Sequence, residues 1–414
     1  MQQLKKIGAI GGVVALVACW PLAVGQIGQT LLKDGIADLQ ARDRGYSAEI
    51  VSYDRGYLSS VAVTRYVVTD PDTKQQLQAD GLPAEVTLKH TIKHGIMNLT
   101  AETVPVSMPE IPAVLHTTTQ LNGNTEFDLE MDTINRSYDD GSVVALTKPD
   151  LKGKVSVLGE VSFTLDLPLA EFQFANGDTL TLTELTGSGD GKREFGLWLG
   201  THQLALKKVT LQARGSRPVF QGEDFSYRIQ SEKDKLTGKI DSNHVLEGSR
   251  LISADGMVDK ARLDMTWGNL DAQTMQVLSQ LRDNDPAQLS SAIDDFVSKG
   301  LYFSVNDMQV SIGEGLFDAD LRLTLPEGVD NVSQDISEVA SELQGNVNTF
   351  ISHEMIKQYP YIKQGLDELI IMEMAKETEK GVEIHADLRQ GNLQFPGGQK
   401  VPLFPILLPM LLQR

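Results

Sequence analysis

Side chains able to do chemistry are thinly spread along these 414 residues. The histidines are His90, His94, His116, His202, His244, His353 and His385. His90 and His94 fall four apart in a segment that alternates apolar and polar residues. On one strand face they would lie about 13 Å apart at ~3.3 Å per residue, too far to share a metal ion, so they read as solvated strand residues. The run Gly187-Ser188-Gly189-Asp190-Gly191-Lys192-Arg193 looks like a phosphate-cradling loop. It is one residue short of P-loop spacing, lacks the Ser or Thr after the lysine, and precedes a strand instead of a helix. It reads as a hairpin turn. Asp139-Asp140 and Asp294-Asp295 lack the spacing of a calcium loop. No GxSxG, HExxH or SxxK followed by KTG is present. No catalytic residue, metal ligand or cofactor is therefore assigned. With 56 acidic residues, carboxylate pairs suited to glycoside hydrolysis occur throughout, and none stands out.

The one cysteine, Cys19, lies in an apolar run, residues 7–24, that follows Lys5 and Lys6. At ~1.5 Å rise per residue this run just crosses a hydrocarbon core of ~30 Å. The two lysines hold the N-terminus on the cytoplasmic side, and Trp20 falls near the outer interface. An uncleaved signal-anchor is the leading reading. Leu16-Val17-Ala18-Cys19 also resembles a lipobox, with Cys19 as the lipidation site, and an ordinary cleaved secretory signal is the third reading. Apolarity that continues past Cys19 favours the anchor. All three readings put the main body outside the cytoplasm. That body has no thiol, which excludes disulfides, CxxC pairs and cysteine nucleophiles there. A net charge of −19 argues against nucleic acid as a partner and for simple solubility.

Residues 26–40 carry Ile27, Leu31, Ile36 and Leu39 at helical spacing, as a stalk would. From 48 to 267 the pattern is period two, with strands expected at 59–69, 84–93, 125–131, 151–158, 162–167, 180–185, 197–211 and 258–267. Asn122-Gly123, Asp140-Gly141, Asn176-Gly177, Asp190-Gly191 and Asp255-Gly256 supply turn signals. Helices are expected at 272–282 and from Pro286, then strands at 301–312 and 316–325 joined by Gly313-Glu314-Gly315. Val332, Ile336, Val339, Leu343, Val347 and Phe350 predict a long helical stretch over 331–380, broken near Gly345-Asn346 and Tyr359-Pro360. Its acidic residues read as a solvated helix face. A β unit follows at 382–389, 393–395 and 400–403. The apolar tail 404–412 carries Pro405 and Pro409 and reads either as packed on the β body, or as plugging a groove or touching the bilayer.

The expected architecture is α+β. It comprises an N-terminal transmembrane helix, a large antiparallel β meander, flat or curved into a groove, and a C-terminal helical segment packed on the sheet. The expected divisions are 1–25 (cytoplasmic start and signal-anchor), 26–45 (stalk helix), 46–270 (β-rich body) and 271–414 (mixed helix and strand).

One local motif is distinctive: Tyr53-Asp54-Arg55-Gly56-Tyr57-Leu58-Ser59-Ser60. It reads as strand, short turn at Gly56, and strand, with Tyr53 and Tyr57 flanking Arg55 so that the guanidinium can stack on aromatic rings. The residues Tyr53, Arg55, Gly56, Tyr57, Ser59 and Ser60 resemble the Y-x-R-G-aromatic-x-S-S signature of the bacterial YdgA-like family, a domain of unknown function. Gly196-Leu197-Trp198-Leu199-Gly200 is similar to that family's mid-chain segment. The stretch from Gly391-Asn392-Leu393 to Gly397-Gly398-Gln399-Lys400-Val401-Pro402 is similar to its closing region, with Gly398 departing from the usual Asn-Gly. The resemblance implies an inner-membrane-anchored periplasmic protein and carries over no catalytic residues.

The functional expectation is a non-enzymatic membrane-anchored periplasmic envelope protein with a binding or structural role, handling a lipid or a lipidated ligand. Its expected partners are the inner membrane through residues 7–24, a lipid or another envelope protein, and a second copy of the chain. The alternatives are an envelope-polymer hydrolase using a carboxylate pair, and an assembly scaffold for another membrane protein.

Overall fold

The computed structural model describes residues 45–403, apart from 57–58, 80–82, 96–97, 110, 121, 139–140, 216–217, 255, 282–285 and 330–335. The expected transmembrane segment 7–24, Cys19, the stalk and the tail 404–412 lie outside the described residues. Among the described residues no helix is long and apolar enough to cross a membrane. The chain forms two compact units. One runs to Gly177 and includes Thr183–Lys192, and the other comprises Asp178–Leu182 and Arg193 onward. Residue 271 therefore falls inside the second unit.

The strands of the first unit are β1 (Tyr46–Arg55), β2 (Ser59–Val68), β3 (Glu85–His94), β4 (Asn98–Pro105), β5 (Ala113–Gln120), β6 (Thr125–Met131), β7 (Ile134–Ser137), β8 (Val143–Leu146), β9 (Asp150–Val155) and β10 (Val161–Gln173). Strands β1 to β6 pair antiparallel in order. The order then runs β6–β9–β10–β8–β7, all antiparallel. Helix α1 (Pro71–Ala79) follows β2. It starts where Asp70 accepts a hydrogen bond from the Thr73 backbone N–H at 2.8 Å and Pro71 occupies a position needing no donor. Tyr66, Leu115, Phe127 and Val155 are buried in the core of this unit, with Leu88, Leu151 and Phe163 packed against them.

The run 187–193 is not a turn, contrary to the sequence reading. It lies within the strand β11 (Thr179–Glu194). The reason is steric: a Cβ at Gly189 would collide with the Phe163 ring, so glycine lets the aromatic ring lie against the strand.

The second unit is built on long strands: β12 (Leu197–Gln212), β13 (Pro218–Lys233), β14 (Lys239–Ser253), β15 (Gly256–Asp271), β16 (Leu301–Ile312), β17 (Gly315–Leu325), β18 (Gln344–Ser352) and β20 (Gly381–Arg389). These eight pair antiparallel in that order. Three short strands complete it, β19 (Ala375–Glu377), β21 (Asn392–Gln394) and β22 (Lys400–Pro402). Helices α2 (Ala272–Gln280) and α3 (Pro286–Ser298) stand at the expected places. The Asp271 carboxylate caps α2 by accepting from the Thr274 N–H at 3.0 Å.

The long helix expected over 331–380 is corrected. Among its described residues, α4 (Ile336–Glu342), α5 (His353–Gln358) and α6 (Pro360–Ile371) are helical, and 344–352 is the sheet strand β18. Val347 and Ile351 alternate there with Asn346, Asn348 and Phe350, a period-two pattern that the coincident helical stripe hides. The architecture is thus mostly antiparallel β with short helices.

Candidate functional site

The hairpin bearing the family-like motif is set by a bulge. Ile50 pairs with Thr64 but Ser52 pairs with Val63, so one extra residue enters β1. That shift puts Tyr53 opposite Ala62 and Arg55 opposite Ser60. The turn closes with the Gly56 N–H donating to the Ser59 carbonyl at 2.8 Å. A Cβ on Gly56 would sit 2.6 Å from that oxygen, so only glycine fits. Arg55 is exposed at the strand end. Among the described residues the cation–π pairs are Lys233–Phe195 and Arg322–Tyr302, so Arg55 is not stacked on Tyr53. Tyr57 lies outside the described residues. Ser60 Oγ is 3.0 Å from His94 Nε2, yet Ser60 is 1% exposed. The Ser60 hydroxyl is thus enclosed beside the half-buried imidazole of His94.

Of the two strand histidines expected in solvent, His94 is half-buried and His90 is a second correction. His90 is fully buried, with Nε2 2.8 Å from Thr64 Oγ1 and Nδ1 2.9 Å from Thr103 Oγ1. Burial pushes its pKa down to about 4. Thr119 and Thr125 are also buried and joined at 2.9 Å. The buried face of the first unit therefore includes polar side chains, among which His90, Thr64, Thr103, Thr119 and Thr125 bond to one another.

Open surface depressions in the first unit carry ordinary ion pairs. One of about 400 Å³ is lined by His116, Asp128, Glu130, Lys148, Asp150 and Lys152. Its carboxylates are engaged, Asp150 with Lys152 at 2.9 Å and Glu130 with His116 at 3.1 Å.

The second unit presents something different. Cross-strand register sorts its side chains into two faces. Leu263 of β15 lies opposite Leu246, Tyr227 and Leu204 on one side, and opposite Met308, Ala319, Thr349 and Ile384 on the other. The next row is Met265, with His244, Ile229 and His202 on one side and Val305, Leu321, Val347 and Ala386 on the other. Trp267 heads a third row with Phe303, Leu323 and Leu388. This face holds no carboxylate, lysine or arginine in these rows. It spans seven interstrand spacings, about 34 Å. Its ends are covered: Ile240 and Leu270 pack with Met275 of α2 and Phe296 of α3, and Leu388 packs with Ala340 of α4 and Leu403. Its middle is open, with Leu246, Trp267 and Met308 between 39% and 46% exposed.

The opposite face takes the charge. Arg262 binds Glu247, Asp264 at 3.0 Å and Asp307 at 2.8 Å. Burial opposes ionisation of Asp264, but hydrogen bonds from Asn306 and Asn243 and the Arg262 charge outweigh it and hold its carboxyl below the ordinary value. Further along, Asn348 donates to Asp320 at 2.7 Å and its Oδ1 lies 2.5 Å from His385 Nδ1. Among the described residues no group of acidic and histidine side chains is arranged to hold a metal ion.

Neither Tyr227 and His244 nor Leu246, Trp267 and Met308 stands out as a site in the sequence. The available signal is the alternation Phe225, Tyr227, Ile229, Ser231 against Ser226, Arg228, Gln230. It separates two faces but says nothing about which is covered.

The family model described as "Bacterial protein of unknown function (DUF945)" matches residues 4–403. No curated protein and no solved structure matches the chain.

Proposed function

The chain belongs to this bacterial family, and we propose that it is a non-enzymatic envelope protein, held to the inner membrane by residues 7–24, whose second unit takes up the apolar chain of a lipid or lipidated ligand. The observation that carries this reading is the uncharged eight-strand face with Leu246, Trp267 and Met308 open to solvent. A contiguous apolar area with its charge segregated to the opposite face is costly to leave in water and calls for an occupant. Charge complementarity favours an acyl chain over a peptide segment, because the face offers no ion-pair partners along its length. The anchor read from residues 7–24 would hold such a face beside a reservoir of acyl chains.

The test uses the full chain purified in detergent and examined by native mass spectrometry. Wild type is expected to retain bound lipid, and Leu246→Ser/Trp267→Ser/Met308→Ser, with an unchanged circular dichroism spectrum, is expected to lose it. Equal lipid content in the two proteins overturns the reading. So does a stable wild-type dimer that the triple variant dissolves, since a second copy would then be the occupant. Location is tested by a C-terminal alkaline phosphatase fusion, expected to be active in intact cells. A fusion that is produced but inactive, as this disulfide-dependent reporter is in the cytosol, removes the envelope role.

A further inference from the structure

The uncovered face is interrupted at one place by a connected line of polar groups. Tyr227 Oη lies 2.8 Å from His244 Nδ1, and the two rings stack with centroids 6.1 Å apart. His244 Nε2 lies 3.0 Å from Ser242 Oγ, which lies 2.7 Å from Ser231 Oγ. Leu204, Ile229, Leu246 and Met265 surround this line on the same face. Ser231 and Ser242 are 2% and 3% exposed, whereas Tyr227 is only half-buried.

The direction of the hydrogen bonds follows from burial. If Tyr227 donates to His244, the imidazole donates to Ser242 and Ser242 to Ser231. The Ser231 hydrogen is then buried, and the structure gives it no acceptor beyond Ser242. The reverse order leaves nothing unpaired inside. Ser231 donates to Ser242, Ser242 to His244 Nε2, and His244 Nδ1–H to the Tyr227 oxygen. Every buried donor is then used, and the one free hydrogen is that of the Tyr227 phenol at the accessible end. Desolvation raises the Tyr227 pKa and lowers that of His244, so both are neutral at pH 7 and the phenol keeps its proton.

We infer that Tyr227 is the polar anchor of this face and that the ligand carries an uncharged hydrogen-bond acceptor next to its hydrocarbon, the carbonyl of an acyl ester. This rests on the proposed binding of an acyl chain at the same face. A carboxylate is disfavoured there, because the rows around Tyr227 and His244 hold no lysine or arginine, the nearest on this face being Lys233 at its end over the Phe195 ring, and the chain carries a net charge of −19. A plain hydrocarbon would leave the phenol hydrogen desolvated and unpaired.

The experiment adds methyl oleate, oleate or 1-octadecene in equal amounts to the full chain in detergent and measures the bound fraction by native mass spectrometry. Wild type is expected to hold methyl oleate about tenfold more tightly than 1-octadecene, the worth of one hydrogen bond. Tyr227→Phe is expected to bring the ester down to the hydrocarbon level while leaving 1-octadecene binding unchanged. A merely structural role for Tyr227 would weaken both. His244→Gln is a second variant, expected to lower ester preference in part because the phenol loses its fixed orientation. Dioleoylphosphatidylethanolamine separates the sources. Tyr227-dependent binding of this phospholipid points to a bilayer lipid, and binding of methyl oleate alone points to an acylated protein. Equal wild-type affinity for methyl oleate and 1-octadecene, or preference for oleate, overturns the inference while leaving the binding face standing. Failure of every probe to bind wild type overturns the face itself.

Discussion

In the first unit the inward row includes Ser60, Thr64, His90, Thr103, Thr117, Thr119 and Thr125, and all of them are buried. In the second unit the corresponding apolar face includes Leu246, Trp267 and Met308, and these are exposed. For these two sets of side chains, burial does not follow hydropathy. Most members of the polar row tolerate enclosure because they bond to one another, as His90 does with Thr64 and Thr103. Among the described residues, α2, α3 and α4 pack at the ends of the apolar face, and Leu246, Trp267 and Met308 in its middle stay exposed. Enclosure is a property of how strands and helices are arranged, and a row of side chains does not report it.

The comparison breaks most visibly on core truncation. Phe127→Ala in the first unit removes a buried ring and is expected to cost about 3–5 kcal/mol. Met308→Ala on the open face removes a side chain already 39% exposed and is expected to change stability by no more than about 0.5 kcal/mol. Urea denaturation of the two variants checks this. Similar losses would mean that the second unit's face is enclosed after all.

Acidification is the next largest effect and tests the polar seam of the first unit. His90 titrates near 4 in the folded chain against its ordinary value of 6.5. Between those values the unfolded chain binds a proton that the folded chain does not. Stability is therefore full above the ordinary value and falls as pH drops, reaching about 3 kcal/mol of loss near the folded pKa. Denaturation midpoints measured from pH 7 to pH 4 should show that slope, and His90→Leu should flatten it.

Arg262 gives a smaller effect, in the second unit. It holds three carboxylates on the charged face with its own side chain 24% exposed. Arg262→Met leaves those acids facing one another, and a loss of about 1 kcal/mol is expected, shrinking at high salt. A salt-independent loss of several kcal/mol would assign that face a packing role instead.

Much of this layout is legible in the sequence and some is not. The hairpin of β16 and β17 is readable, because apolar alternation on both sides, interrupted once by the bulge between Val305 and Met308, meets Gly313-Glu314-Gly315. The bulge at Val51 is not, yet it decides that Arg55 and Ser60 are neighbours. Helix α1 escapes notice because Asp72-Thr73-Lys74-Gln75-Gln76 offers no apolar stripe, and only the Asp70 cap and Pro71 mark it. The burial of His90 is hidden because Lys89-His90-Thr91 reads as surface. The open face is hidden for the complementary reason: Leu263 and Met265 read as core, and their exposure depends on strands far away in the chain.

The smallest expected effect concerns Thr117, a buried hydroxyl in the seam that lacks a partner. Thr117 is 3% exposed, and its Oγ1 has no hydrogen bond, whereas Thr119, one row along, is bonded to Thr125 at 2.9 Å. Replacing an unpaired buried hydroxyl by a methyl of the same shape removes a desolvation cost and no contact. Thr117→Val is therefore expected to stabilise the chain by about 0.5 kcal/mol. Thr119→Val, which strands its partner, is expected to destabilise by about 1 kcal/mol. Thermal denaturation of the two variants gives opposite signs if the seam is dry at Thr117. Loss of stability in both would mean that a water supplies the missing bond. The inward row of the first unit would then be partly hydrated, and its contrast with the open face would be one of degree.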